Sequence, residues 1–551
     1  MIGRVLAAAV YLLMALALFH RAILASHAAI GLGGDPYLFQ WHLAWVEHAL
    51  THGTNPLFSK YLAVPNGGEN LMYYTSLPLA GLVLSPITAL GGSLLSYNVL
   101  MVGSVVVSAW AAYAMCARFV GWRVAALVGG AVYGFSPLMV AQSAGHPQVT
   151  MAWFPPVVVI VADSIARGKR SPRALGVLFG LAVTAQLLLG TEVLVTSALV
   201  AVLCAAVWVV FFRGEDGTVN LWRRGAPTLG VAAVTVAVVG SFPLSMLLFY
   251  PGRIGIHHAV QPLSRYVADL AGFFVPGQFE LIATAAMRAY TARFSGNRVE
   301  SAGYLGLPLL LLLVFYLWKR WADRTVRLSI FVATACALFA LGSRVRVHGT
   351  AHLTAIPLPG AILFHVPVLW NIVPARFMLY VYLAVALTVA SVVDRGDPVR
   401  RPVRLLAVAA GLVFLFPASA PALAESTPSA FRTATNRGGL VLVTPGGVSR
   451  EEMLWQADTG FAARLVGGFT LAPRPPNALL DTLAAADSSG RWPALSAQRA
   501  ASLRGAASQL GVTTIVDVPD SHELSRRAFL TTVFGPAQSA AGRFAIWNLT
   551  T

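Results

Sequence analysis

The sequence contains little cysteine and few charged residues. Cys116, Cys204 and Cys336 are its three cysteines in 551 residues, and they lie in apolar stretches without a CxxC pair or a neighbouring histidine. This pattern excludes a disulfide framework and argues against a structural zinc site. Charged residues make up 11% of the chain, whereas soluble domains typically contain about 25%. The composition therefore excludes an ordinary soluble globular protein.

Hydrophobic residues, in contrast, make up 57% of the chain. They recur in runs of roughly 17–25 residues, the length that a helix needs to cross the hydrocarbon core of a bilayer. The sequence predicts a polytopic α-helical membrane protein with about eleven transmembrane helices. The predicted spans lie near residues 4–24, 96–116, 123–143, 148–166, 171–188, 191–212, 225–250, 302–318, 328–342, 377–393 and 405–424.

The formal net charge of +17 comes largely from short loops between these runs, such as "RGKRSPR" and "DRGDPVRRPVR". Arg- and Lys-rich short loops are typical of the cytoplasmic side of a membrane protein, and no nucleic-acid motif accompanies them. The alternation predicts a plasma (inner) membrane protein with a cytoplasmic N-terminus. The segment 76–92 breaks the alternation and contains two prolines and a glycine pair, which favours a re-entrant element.

This topology divides the chain into a membrane-embedded part, 1–424, and a small extracytoplasmic α/β domain, 425–551. Two buried strands are predicted in the domain, in "GGLVLVTPGG" and "GVTTIVDVP", with helices around them. The outer loops of the membrane part are 25–75, 251–301 and 343–376. Most polar residues outside the basic loops therefore lie on the outer face.

The first outer loop begins with the stretch "GGDPYLFQWHLAWVEHAL". Its pattern predicts an amphipathic helix at the membrane surface, with Asp35 as N-cap and Pro36 in the first turn. Capping is one interpretation of Asp35, and a role in chemistry is the other. The aromatic residues of this loop are interpreted either as interfacial residues or as a stacking surface for a substrate. These aromatic residues are Trp41, Trp45, Tyr73 and Tyr74.

Other ionisable residues gather at the outer helix ends, where such groups often mark a functional site. They are His42, His146, Glu192, Arg298, Glu300, Tyr304, Arg344 and Arg376, with Arg253, His257 and His258 in the same outer loop as Arg298. Outer-face arginines run against the positive-inside bias, and a guanidinium fork matches phosphate oxygens. Anionic lipid headgroups are the alternative partner. The combination favours chemistry on a lipid-linked phosphate substrate at the outer leaflet.

The order of a first helix, an outer loop with an early acidic residue, many further helices and an outer C-terminal domain resembles the GT-C superfamily of polytopic glycosyltransferases. The actinobacterial mannosyl- and arabinofuranosyltransferases of cell-envelope assembly are the most similar in pattern and composition. The resemblance implies that Asp35 in "GGDPY" is the general base. It also implies that Arg376, with Arg344 or Arg298, holds the donor phosphate, and that Glu192, His146 and Glu300 orient sugar hydroxyls or assist proton removal.

Many relatives carry an acidic pair where this chain has Asp35 followed by Pro36. This departure favours metal-independent catalysis without a cofactor. The predicted function is inverting transfer of a sugar from a polyprenyl-phosphate donor to a cell-envelope glycan or glycolipid. A lipid-linked glycan flippase or transporter, a non-catalytic scaffold, and transfer of a phospholipid head group are the competing hypotheses.

Overall fold

The computed structural model describes residues 2–549 except 74, 169, 212–215, 251–261, 263, 352–356, 367–368, 395–400, 437, 446–449, 470–474 and 542–543. Tyr74, Arg253, His257 and His258, which the sequence singled out, lie outside the described residues. The first three-quarters of the described chain is helical, and the last quarter mixes strands with helices.

The helices before residue 424 are Ile2–Leu18, His20–Leu24, Asp35–Thr51, Pro78–Cys116, Arg123–Gly134, Pro137–Gln142, Pro147–Thr150, Phe154–Arg167, Pro172–Leu187, Thr191–Phe211, Asp216–Val239, Ser241–Leu248, Ala285–Thr291, Leu307–Lys319, Arg324–Ala340, Met378–Asp394 and Arg401–Val413. Short 3₁₀ turns occur at Val64–Asn66, Leu71–Tyr73, Leu270–Phe273, Pro359–Phe364 and Pro374–Phe377. Many helices begin at Pro or at a Ser or Thr cap, as their sequence signals predict.

Within the described residues, four helices are long and apolar enough to cross a membrane: Pro78–Cys116, Pro147–Arg167, Thr191–Val210 and Pro374–Asp394. A fifth span results if Trp222–Val239 and Ser241–Leu248, which meet at 76°, are one broken span. Shorter apolar helices accompany them, and large apolar side chains such as Leu90 and Phe249 are exposed on the surface. The chain is therefore a membrane protein, while the number of eleven crossings stays a prediction.

The segment 76–92 is helical from Pro78 onward and forms the first part of the helix Pro78–Cys116, which breaks sharply at Gly92. Its re-entrant position in the membrane stays a prediction. Gly92 has φ 78°, a conformation that glycine adopts without a steric penalty. The last predicted span, 405–424, is wrong at its C-terminal end, because the helix Arg401–Val413 stops at Val413. Beyond it, Ala422–Ala424 forms an antiparallel pair with the strand Ala28–Ile30.

The helix Asp35–Thr51 is buried on both sides, so the prediction of an amphipathic helix with one exposed polar face is wrong. Its position at the membrane surface stays a prediction. Phe39 and Leu43 pack in the core of the helical part. Leu38, Trp41 and Trp45 pack in a second core with residues from beyond position 430. The apparent amphipathic pattern therefore reflects two different apolar partners, one on each face of the helix.

The C-terminal part contains a five-stranded sheet in the order Ser539–Ala541, Phe544–Asn548, Thr514–Asp517, Leu440–Thr444, Arg464–Leu465. The two predicted strands are its adjacent parallel members, Leu440–Thr444 and Thr514–Asp517. The helices of this part are Ser429–Thr435, Glu451–Asp458, Ala478–Ser489, Ala497–Leu510 and Glu523–Phe534. Two small hairpins in the helical part pair Phe58–Ser59 with Glu69–Asn70 and Arg346–Val347 with Thr350–Ala351.

The C-terminal part is attached firmly to the first-loop helix. Trp41 Nε1 donates a hydrogen bond of 2.8 Å to Gln456 Oε1 on the helix Glu451–Asp458, and Trp41 stacks on Trp45 with ring centroids 5.8 Å apart. Gln456 in turn donates to the carbonyls of Tyr61 and Ala463. A buried indole N–H needs an acceptor, and here Gln456 supplies it. The bond holds the helix Glu451–Asp458 against the helix Asp35–Thr51, at whose start Asp35 lies.

Candidate active site between the helical part and the C-terminal sheet

A cavity of ≈ 340 Å³ lies at the N-terminal end of the helix Asp35–Thr51. Its volume falls in the range of small-molecule sites, about 300–1,000 Å³. Five acidic, basic or histidine residues that the sequence singled out line it together: Asp35, His146, Glu192, Glu300 and Arg376. Its other polar and aromatic lining includes Tyr73, Gln148, Tyr266, Asn297, Trp370, Asn371 and Arg450.

Asp35 is the first residue of its helix and not the predicted N-cap, which is Gly34. Its side chain is 34% exposed, the most open of the three carboxylates in the cavity. Asp35 Oδ1 accepts a hydrogen bond from Arg450 Nη1, and Asp35 Oδ2 lies 3.2 Å from His146 Nε2. The carboxylate is thus held by two side chains while part of it still faces the cavity.

His146 can lie close to Asp35 because the residue before it, Gly145, has no side chain. A Cβ placed on Gly145, whose φ is +155°, would lie only 3.1 Å from Asp35 Cβ. Burial, assisted by the charge of Arg376, lowers the pKa of His146 to about 4. The ring is therefore neutral at pH 7. Its Nδ1 has no hydrogen-bond partner among the described residues, so a tautomer with the proton on Nε2 can donate to Asp35.

Arg376 lies between the other two carboxylates. It comes from the turn Pro374–Phe377 and donates to Glu300 through Nε and Nη2 and to Glu192 through Nη1. Glu192 also accepts the backbone N–H of Val373 at 2.9 Å, and Glu300 accepts from Gln142 Nε2 at 2.9 Å. Burial acts to raise the pKa of Glu300, but the charge and hydrogen bonds of Arg376 outweigh it and hold this pKa below its ordinary value.

Arg450 is a cavity residue that sequence reasoning missed. It belongs to the C-terminal part, precedes the helix Glu451–Asp458, and has a left-handed backbone conformation with φ 60°. Its guanidinium carbon lies 4.0 Å from the centroid of the Phe469 ring, a cation–π contact that holds the side chain over the cavity. No local signal in "SREEMLW" could have revealed this contact, because Asp35 and Arg450 are 415 positions apart.

The remaining predicted residues lie elsewhere. His42 and Trp41 are buried, 3% and 0% exposed, and do not line the cavity. Burial lowers the pKa of His42 to about 3. Trp45 is equally buried, whereas Tyr73 does line the cavity. Trp41 and His42 are thus buried outside this cavity, and their predicted substrate contacts stay a prediction.

Three further predicted residues are separated from Asp35. Arg344 is exposed at the end of the helix Arg324–Ala340. Arg298 and Tyr304 line a second cavity, on the other side of the segment that carries Glu300. The sequence could not separate these residues from Glu300, because neighbours in a turn can face opposite directions. Within the described part of the chain, no group of three or more His, Cys, Asp or Glu side chains is arranged to hold a metal ion; metal-independent chemistry stays a prediction.

The architecture is shared with solved membrane glycosyltransferases. The mycobacterial arabinofuranosyltransferase AftD aligns with 94% of this chain at 17% identity and a TM-score of 0.50. The oligosaccharyltransferase of Archaeoglobus fulgidus, in complex with Zn and sulfate, aligns with 99% at 12% identity and 0.53. The oligosaccharyltransferase AglB from the same archaeon, in complex with an inhibitory peptide and a dolichol-phosphate, gives 11% and 0.51. The chain therefore has the GT-C fold.

The chain spans 36% of the length of AftD and 73–74% of the archaeal enzyme. Its residues 8–415 match the family model described as a domain of unknown function, DUF6311. The protein belongs to this DUF6311 family. A search among curated proteins finds no match.

Proposed function

We propose that this protein is an inverting glycosyltransferase that moves a sugar from a polyprenyl-phosphate donor to a hydroxyl of a cell-envelope glycan or glycolipid. The observation that carries the proposal is the environment of Asp35. It is a partly open carboxylate, held by His146 and Arg450, in a cavity that also contains Arg376. The GT-C fold supports the same reaction class.

Asp35 acts as the general base. An acceptor hydroxyl in the cavity loses its proton to Asp35 as its oxygen attacks the anomeric carbon, and the bond from that carbon to the donor phosphate breaks on the opposite face. The configuration at the anomeric carbon is thereby inverted. The polyprenyl phosphate leaves as an anion and needs no proton from the enzyme. Glu192 and Glu300 are less suited to act as the base because Arg376 already holds both carboxylates.

His146 positions the base. A neutral imidazole that donates from Nε2 to Asp35 Oδ2 holds one carboxylate oxygen and leaves the carboxylate basic, whereas a charged imidazolium would lower its basicity. The low pKa of His146 keeps the ring in this form throughout the physiological range. His146 is therefore a positioning residue, and Asp35 is the catalytic one.

Two guanidinium groups are available for the donor phosphate. Arg376 uses three nitrogens for its carboxylate partners, but a guanidinium carries five N–H donors, so two are left for a ligand. Arg450 has a carboxylate partner in Asp35, and a phosphate could replace that partner. Binding of the donor would then draw Arg450 away from Asp35 and free the base when the substrate is in place.

Further lining residues suit a sugar and a prenyl group. Gln148 is 4% exposed, and its Oε1 has no partner among the described residues. A buried unsatisfied acceptor costs about 1–3 kcal/mol, and a sugar hydroxyl would satisfy it. Leu38, Met72 and Leu187 form an apolar side of the same cavity, which suits the first isoprene unit of the donor.

The test is a transfer assay with the purified full-length chain, short-chain polyprenyl-phosphate sugars and cell-envelope acceptors. Asp35→Asn should lower the rate by about 10²–10⁴-fold, the usual contribution of a general base, with donor binding retained. Asp481→Asn, at an exposed position on the helix Ala478–Ser489, is the matched control and should keep full activity.

Equal rates for wild type and Asp35→Asn would remove Asp35 from catalysis. An absence of transfer from every donor by wild type would contradict the proposed function and favour the transporter or scaffold hypothesis.

A further inference from the structure

A second cavity, of ≈ 270 Å³, lies behind the wall of the candidate active site. The segment 297–304 separates the two cavities. Asn297 and Glu300 line the first, whereas Arg298, Ser301 and Tyr304 line the second. The second cavity is thus a separate space with its own polar lining, and nothing in the proposed transfer reaction uses it.

Glu280 lies in the wall of this second cavity and is 3% exposed. Its Oε2 accepts the backbone N–H of Gly277 at 2.6 Å. A Cβ placed on Gly277 would lie 3.6 Å from Glu280 Oε2 and 3.7 Å from Thr291 Oγ1. The carboxyl group and the hydroxyl therefore face the same small space, which the missing side chain of Gly277 leaves open.

Two guanidinium groups also line this cavity. Arg288 Nη1 donates to the carbonyl of Ala283 at 2.6 Å, and Arg298 Nη1 donates to Gln278 Oε1 at 3.3 Å. Each guanidinium has five N–H donors, so both retain donors for a ligand. The titratable groups that line the cavity are Glu280, Arg288, Arg298 and Tyr304. Burial raises the pKa of Glu280 to about 7, so the cavity is net positive and most positive below that pH.

Exposed apolar side chains lie near the cavity, beginning with Leu281, the residue that follows Glu280 in the chain. The backbone N–H of Leu281 donates to the carbonyl of Phe416, and the two side chains are 64% and 61% exposed. Phe416 follows the helix Arg401–Val413, whose Val403 and Leu406 are also exposed. An apolar surface in a membrane protein, close to a cavity with two arginines, suits an amphiphile with an anionic head.

We propose that this second cavity binds a phosphate group, held by Arg288 and Arg298 and accepting a hydrogen bond from the carboxyl group of Glu280. Guanidinium groups bind phosphate through charge-assisted hydrogen bonds. The phosphate belongs either to a lipid, whose chains lie against Leu281 and Phe416, or to a free phosphate ion. The site goes beyond the proposed transfer reaction and does not depend on it.

The test is calorimetric titration of the full-length chain in neutral detergent with two probes, inorganic phosphate and short-chain phosphatidic acid. Arg288→Gln and Arg298→Gln should each weaken binding by about 10-fold or more, because each removes a charge-assisted hydrogen-bonding partner. Arg293→Gln, an exposed arginine of the same loop that does not line the cavity, is the matched control and should bind as wild type. Arg288→Lys and Arg298→Lys keep the charge and should retain part of the affinity, which separates loss of the site from loss of folding.

The two probes distinguish the sources. Tighter binding of phosphatidic acid that is lost in Leu281→Ser assigns the site to a lipid head, and equal binding of both probes assigns it to free phosphate. Wild-type affinity in the Arg288→Gln, Arg298→Gln double variant would overturn the proposal, as would phosphate binding that Arg450→Gln abolishes, since the ligand would then occupy the first cavity. Absence of binding of either probe to wild type would overturn it as well.

Glu280 provides a second readout. Its protonated carboxyl donates to the phosphate, whereas the ionised form repels it, so binding should weaken from pH 6 to pH 8. Glu280→Gln should remove that part of the pH dependence and leave only the contribution of the ligand's own ionisation. A pH profile identical in wild type and Glu280→Gln would exclude a contact between Glu280 and the phosphate.

Discussion

The two cavities on either side of the segment 297–304 differ in the balance of their charges. The first contains three carboxylates, two guanidinium groups and a neutral histidine, in two groups of short contacts around Asp35 and Arg376. The second contains one carboxyl group with a raised pKa and two guanidinium groups on backbone and amide acceptors. An acid-rich, cross-linked cavity suits chemistry on a hydroxyl, and an arginine-rich one suits binding of an anion.

The largest difference should appear when an arginine is removed from each cavity. Arg376→Met leaves the buried Glu300 and the half-buried Glu192 without their cation, which should lower the free energy of unfolding by about 3–5 kcal/mol. Arg298→Met, at an exposed position, should change it by no more than about 0.5 kcal/mol. Chemical denaturation of the full chain in detergent measures both. Similar losses in the two variants would contradict the distinction between a buried ion cluster and an open binding site.

Arg450→Gln should affect the first cavity alone. Loss of its charge-assisted contact with the donor phosphate should raise the KM for the donor by about 10- to 100-fold. Transfer kinetics at several donor concentrations measure this effect. Arg464→Gln, at an exposed arginine of the C-terminal part that does not line the cavity, is the control. A KM like that of wild type would remove Arg450 from the site.

Glu280→Gln should change how the free energy of unfolding depends on pH, because Glu280 is buried in the wall of the second cavity. Folded Glu280 holds its proton up to about pH 7, whereas the ordinary pKa is 4.5, so the free energy of unfolding of wild type falls as the pH rises between these values. The variant should therefore gain on the order of 2 kcal/mol over wild type at pH 8 and almost nothing at pH 5. Denaturation curves at both pH values measure this, with Glu47→Gln as control. A difference that does not change with pH would contradict the burial of an ionisable carboxyl group at position 280.

The smallest effect concerns the wall between the cavities. Asn297 Oδ1 accepts the backbone N–H of Glu300 at 2.9 Å, so Asn297→Ala should loosen Glu300 and slow transfer by about 2- to 10-fold, the value of one neutral hydrogen bond. Ser301→Ala, on the opposite side of the same segment, should leave transfer unchanged. Rates of both variants under the same conditions decide this. Equal slowing of transfer by Asn297→Ala and Ser301→Ala would contradict a specific role for the hydrogen bond between Asn297 and Glu300.

The parts of the fold that depend on local patterns could be predicted from the sequence. Apolar runs give the helices, and the β-rich stretches around Val441 and Ile515 give adjacent strands. The ionisable residues of the predicted outer loops and helix ends include five whose side chains the structure brings into one cavity, although their roles stay predictions. These features depend on the composition of short stretches and on the charge of the loops, from which the side of the membrane is predicted.

The rest depends on contacts between distant parts of the chain. An amphipathic stretch has the same pattern whether its partner is a bilayer or a second protein layer, so the burial of Trp41 under Gln456 could not be read from it. The direction in which a side chain points within a turn cannot be read from the sequence either. Arg298 and Glu300 were therefore assigned to one site. Arg450 lies in the C-terminal part, and nothing near it in the sequence indicates a contact with Asp35.

The pairing of Asp35 with Arg450 has a consequence for the order in which the protein is made. Synthesis from the N-terminus produces Asp35, His146, Glu192, Glu300 and Arg376 long before Arg450 and Phe469. A partly synthesised chain therefore has Asp35 without Arg450, the arginine that pairs with it. The lining of the cavity is complete only when the last quarter of the chain has been made and has packed against the first-loop helix.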